Sequence, residues 1–88
     1  MIEKGERIMR ARINLDTMND IAQFVRNVSE VPEDVFIEDG HGSRVTAKSL
    51  MFTATARMYW AELYCTCEKD IYMSIKDFIV DESDREEN

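Results

Sequence analysis

The sequence predicts an α+β open-faced sandwich of order βαββαβα, a four-stranded antiparallel sheet with three helices on one face. Three observations carry this. Apolar residues alternate with polar ones at residues 8–15 and again at 61–68, the period of half-buried strands. Apolar residues recur at i, i+3, i+4 and i+7 in residues 21–28, and at helical spacing in 71–79. Between them two short β-prone runs flank the glycine-bearing turn "GHGS".

The elements follow in order. From Ile8 to Leu15, Met9, Ala11, Ile13 and Leu15 alternate with Arg10, Arg12 and Asn14, so one face of the first strand is buried and the other solvated. Asp16 or Thr17 then offers a side-chain oxygen to the unpaired N–H groups of a first helix, with Asn19 and Asp20 adding polarity at its positive end. Ile21, Phe24, Val25 and Val28 form the apolar stripe, and Pro32 disfavours helical geometry just before it, placing the end near Ser29. "DVFIED" and "RVTA" make a hairpin, and Ser49 is the expected N-cap of a second helix, "SLMFTATARM". In the fourth strand Leu63, Cys65 and Cys67 oppose Tyr64 and Thr66. A last helix opening near Asp70 aligns Ile71, Ile75, Phe78 and Ile79. Tyr59 and Trp60 suit either packing at the end of the core, the favoured reading, or a binding surface.

Eighty-eight residues fit one domain, taken as residues 1–80, followed by an acidic disordered tail at 81–88. That tail, "DESDREEN", holds five acids against one arginine and so supplies −4 of the net −7. An acidic balance argues against nucleic-acid binding, which needs cations to displace counterions from phosphates, and against anionic lipid. No apolar run reaches the ~20 residues of a membrane span, and "MIEKGERIMR" lacks a signal-peptide apolar region; the expected location is cytoplasmic. Cys65 and Cys67 lie two apart on one strand face, which suits core thiols better than a mutual disulfide. With one distant histidine they fall short of a metal set, and neither a metal nor a cofactor is implied.

With this element order, "AQFV" at Ala22 to Val25, "AKSL" at Ala47 to Leu50 and the turn in "EDGHGSRVTAKSL" give a chain that resembles the HPr family, the histidine-containing phosphocarriers of the bacterial sugar phosphotransferase system. The resemblance spans residues 8–80. It implies the HPr fold and a site at the start of the first helix, where the family's Gly-Leu-His-Ala/Thr-Arg-Pro-Ala segment carries the phosphoacceptor histidine.

This sequence departs from the family there. Counting back from "AQFV" puts the histidine position at Thr17, and aligning the strand puts it at Met18; the family's arginine and proline fall at about Asn19 and Asp20. An imidazole passes a phosphoryl group reversibly near neutral pH, and a helix N-terminus with an arginine holds the charge. A threonine phosphoester transfers far less readily, and an acyl phosphate on Asp16 meets the charge of Asp20. The region Asp16, Thr17, Met18, Asn19 and Asp20 therefore reads as a degenerate phosphoacceptor site. His41, the only histidine, sits in the hairpin turn without the family's neighbours.

The resemblance implies two further roles. Ser49 matches the serine that is phosphorylated in many Gram-positive HPr proteins, and a family paralogue without the histidine works through that serine alone; the bland alternative is a helix cap. Met18, Leu50 and Met51 fall at or near the family's partner-docking patch, although Leu50 is as well suited to the core. The expected function is a noncatalytic regulatory or protein-binding module. Its rivals are a paralogue regulated through Ser49, a self-associating structural protein, and an active carrier using Thr17, Asp16 or His41.

Overall fold

The sheet is built on alternation. In the computed structural model, which describes residues 9–80, strand β1 (Met9–Ile13) buries Ala11 and Ile13 and exposes Arg10 and Arg12. Ile8 and the acidic segment 81–88 assigned to a tail lie outside the described residues. Strands β2 (Val35–Glu38), β3 (Arg44–Thr46) and β4 (Leu63–Cys67) complete one antiparallel sheet of order β1-β4-β2-β3. The hairpin turn uses its two glycines as expected, Gly40 at φ 87° and Gly42 at φ 107°, conformations that a side chain would strain.

The register sorts residues by face. Ala11, Cys65, Ile37 and Val45 form one inner row, and Met9, Cys67 and Val35 the next. On the outer face Arg10 lies level with Thr66, Phe36 and Thr46, and Arg12 with Tyr64, Glu38 and Arg44. This face is solvated but organised. The Arg10 guanidinium lies 4.0 Å from the centre of the Tyr64 ring and that of Arg44 3.9 Å from Phe36, while Arg10–Glu38 and Arg12–Glu62 approach at 3.7 and 3.8 Å. Arg10 and Arg44 cover aromatic faces, and the carboxylates pair with Arg10 and Arg12.

Helix α1 (Met18–Ser29) buries Ile21, Phe24 and Val28 against the inner face. Val25, placed with them by periodicity, is only half-buried. Helix α2 (Leu50–Tyr59) runs antiparallel to α1: Lys48 Nζ donates to the Val31 carbonyl beyond the end of α1, and Arg57 donates to the Leu15 and Asp16 carbonyls before its start. Cys65 and Cys67 are buried, unpaired thiols, and desolvation, with the neighbouring Cys67 adding to it, pushes the Cys65 thiol up to about 12.

The closing helix is shorter than expected. Helix α3 covers Tyr72–Ile75 and tightens into a 3₁₀ turn, Lys76–Phe78, rather than running through 79. Ile71, Ile75 and Phe78 are buried as the periodicity requires, and Phe78 meets Phe24 edge-on at 5.6 Å. The tightening lets the chain turn back onto β1. Asn14 N–H donates to the Phe78 carbonyl at 2.8 Å, Val80 N–H to the Arg12 carbonyl at 2.9 Å, and Ile79 bridges Ile13. This contact covers the free edge of β1, where unpaired backbone groups would otherwise face outward. No described helix is long and apolar enough to cross a membrane.

Candidate functional site

Residues 14–20 turn the chain from β1 into α1. Thr17 is the N-cap, with extended backbone (φ −122°, ψ 167°), and its Oγ1 accepts from the Asp20 N–H at 3.0 Å. Of the two expected caps, Thr17 therefore takes the role. Asp20 does more than add polarity: its Oδ2 accepts from the backbone N–H groups of both Asp16 and Thr17, each at 3.1 Å. Together these bonds form a capping box, with aspartate in place of the usual glutamate or glutamine. The signal was Thr17-x-x-Asp20 in the sequence.

Asp16 is fixed as well. Its Oδ1 accepts from Asn14 Nδ2 at 3.0 Å, and its carbonyl accepts from Arg57 Nη2 at 3.3 Å. Arg57 was not singled out in the sequence, where it stands 41 positions from Asp16 with no local pattern linking them. It is a cation at the corner, as a phosphate site would need, but its Nε and Nη2 are spent on backbone carbonyls.

The cleft beside this corner is lined by Asn14, Asp16, Asn19, Asp20, Gln23 and Asp77 together with residues 78–80, so it holds three carboxylates and no Lys, Arg or His. The positive end of α1 already has an anion in the Asp20 carboxylate. A phosphoryl group here would meet that carboxylate and add charge to an acidic cleft.

His41 is exposed on the β2–β3 turn. Its backbone N–H donates to Asp39 Oδ1 at 2.7 Å and that of Ser43 to the same oxygen at 3.1 Å, so the turn is closed by Asp39 rather than by the imidazole. The His41 N–H bond, the largest cause, holds the Asp39 carboxyl below its ordinary range.

Ser49 caps α2 as expected, its Oγ accepting from the Phe52 N–H at 3.2 Å, and it is half-buried. The adjacent Lys48 is turned away to the Val31 carbonyl. The three residues assigned to a docking patch are all exposed: Met18 at 61%, Leu50 at 46% and Met51 at 71%. Leu50 is thus not a core residue. The three are not gathered at one point, because Arg57 ties the far end of α2 to the start of α1, leaving Leu50 about 10 Å along the helix from the Arg57 turn.

Phe52, Met58 and Tyr59 are exposed too, and of these only Tyr59 had a surface role as an alternative from sequence. Tyr59 corrects the expectation of packing at the end of the core: it is seven residues from Phe52, on the same side of α2, and only Trp60 packs partly against the core. Among the described residues no group of three or more His, Cys, Asp or Glu is placed to hold a metal ion. Comparison of the chain with protein-family models, with curated proteins and with solved structures finds no match.

Proposed function

We propose that this chain is an HPr-like cytoplasmic protein, related to the phosphotransferase system, that has lost histidine phosphotransfer and works as a noncatalytic regulatory or protein-binding module. The observation that carries this reading is the Thr17–Asp20 capping box. At the family's phosphoacceptor position it sets a carboxylate against the helix start, on the backbone N–H groups of Asp16 and Thr17, and no imidazole lines the adjoining cleft. The remaining features suited to a partner are apolar side chains exposed on α2 and at the start of α1.

A second reading is regulation through Ser49. It is favoured by the position of the hydroxyl at the N-cap of a ten-residue helix, where an added phosphate would meet the positive helix end. Both are tested by intact mass. After incubation with phosphoenolpyruvate and the general phosphotransferase enzyme, no mass gain is expected; a phosphate on Asp16, Thr17 or His41 would sink the first reading. After incubation with ATP and an HPr serine kinase, a phosphate mapped to Ser49 would establish the second, and an unchanged mass would remove it.

A further inference from the structure

Helix α2 is apolar around nearly its whole circumference, a pattern that belongs to a covered helix. Only part of it is covered. Thr53 and Ala56 are buried, and the stripe of Leu50, Ala54 and Arg57 turns toward α1, as the bonds of Arg57 to the Leu15 and Asp16 carbonyls require. Met51, Thr55 and Met58, at i, i+4 and i+7, form the outward stripe, with Phe52 and Tyr59 beside it.

Met51 and Met58 are each 71% exposed, Tyr59 74% and Phe52 50%. At about 200 Å² for a large side chain, these four present roughly 530 Å² of apolar surface, so two copies bring together the ~1,000 Å² that a specific interface needs. Their spacing is self-complementary. The four large residues stand three and four positions before Thr55 and three and four positions after it. A two-fold axis through Thr55 would set an antiparallel second α2 with Met51 against Met58 and Phe52 near Tyr59, and the small central side chain permits the usual 8–10 Å helix approach.

We infer that α2 is a self-association surface, occupied by α2 of a second copy packed antiparallel about Thr55. The self-complementary spacing fits a second copy, and the patch carries no charge that would select a charged foreign partner. α2 carries no acid and no lysine, and its one arginine is spent within the chain, so the patch offers nothing for a charged partner to recognise. The net −7 of each copy opposes the pairing through space, so salt strengthens it.

This deepens the binding-module reading by naming the partner, and its failure would leave the phosphate assay unaffected. The full chain is followed by sedimentation from about 1 to about 500 μM, a range in which mass action resolves a weak dimer. Expected are a mass that doubles with concentration and an affinity that rises several-fold with added salt. Met51→Glu alone and Met58→Lys alone are expected to be monomeric, and their mixture to regain a dimer, because residue 51 of one copy meets residue 58 of the other. In the wild type, which has no folding risk, the Met51 and Met58 methyl resonances shift with concentration while that of exposed Met73 does not. A monomer at every concentration overturns the inference, as do a dimer that survives in both variants and a mixture of folded variants that stays monomeric.

Discussion

The two long helices solve opposite problems. α1 has one apolar stripe, a polar outer face and both ends satisfied: a capping box at its start, and a Glu30 N–H bonded to the Asn27 carbonyl at its end. α2 has a serine cap and two buried residues, yet carries large apolar side chains on faces that no described element covers. At the start of α1 the chain has invested in local stability. Where stability needs little, it has kept exposed hydrophobic surface. The difference separates residues that hold the fold from residues that are available to a partner.

The sharpest contrast is in burial. Phe24 is fully buried and meets Phe78 edge-on, so Phe24→Ala is expected to cost about 3–5 kcal/mol in urea unfolding, from lost apolar transfer plus the cavity left behind. A loss below about 1 kcal/mol would mean that α1 does not anchor the core and would break the comparison.

The capping box comes next. Thr17→Ala is expected to destabilise by about 1 kcal/mol, and Asp20→Ala by a similar amount. Because the two side chains satisfy each other's backbone groups, the double variant should lose less than the sum, and a double-mutant cycle measures that coupling. Strict additivity would show two independent caps rather than one box.

Much of this was legible in the sequence, for physical reasons that differ by element. The strands of β1 and β4 follow from strict alternation, and the α1 stripe from helical spacing, since each period is set by local geometry. Gly40 and Gly42 marked the hairpin because only glycine takes their backbone angles without strain. The end of the last helix was not legible: residues 76–80 leave helical geometry to bond β1, a contact between the two ends of the described chain. At the candidate site the missing imidazole could be read directly, but the roles of Asp20 and Arg57 could not be read equally well. Thr17-x-x-Asp20 is a local pattern, whereas the reach of Arg57 to Asp16 depends on how α2 lies against α1. The exposure of Tyr59 was misread because an aromatic residue beside a half-buried tryptophan resembles core packing.

Asp39 provides a smaller control, since like Asp20 it accepts two backbone N–H groups, here from His41 and Ser43. Its carboxyl is held below the ordinary aspartate range, first by the His41 N–H. A depressed folded pKa stabilises the fold above the unfolded pKa, and that contribution is lost as pH falls through the folded one. Asp39→Asn should therefore lower stability slightly in the neutral region and converge with the wild type as pH falls through the folded pKa, so that its acid limb is flatter. The same loss of slope above pH 5 would show that another group sets the limb. The group lies on a surface turn, so the change should be small and weakened by salt.

The smallest effect on the isolated fold is expected on α2. Met51 is mostly exposed, so Met51→Gln, which keeps a good helix former, should alter the stability of dilute protein by less than about 0.5 kcal/mol. The revealing measurement is the concentration dependence of the thermal midpoint. If a second copy covers α2, the wild-type midpoint rises with protein concentration because association draws on the folded state alone, and the Met51→Gln midpoint stays nearly flat. A large loss in dilute solution would place Met51 among the residues that hold the monomer together, contrary to its exposure, and would erase the distinction between the two helices. A flat midpoint in both proteins would leave α1 as the stabilising helix and remove self-association as the reason for the apolar surface of α2.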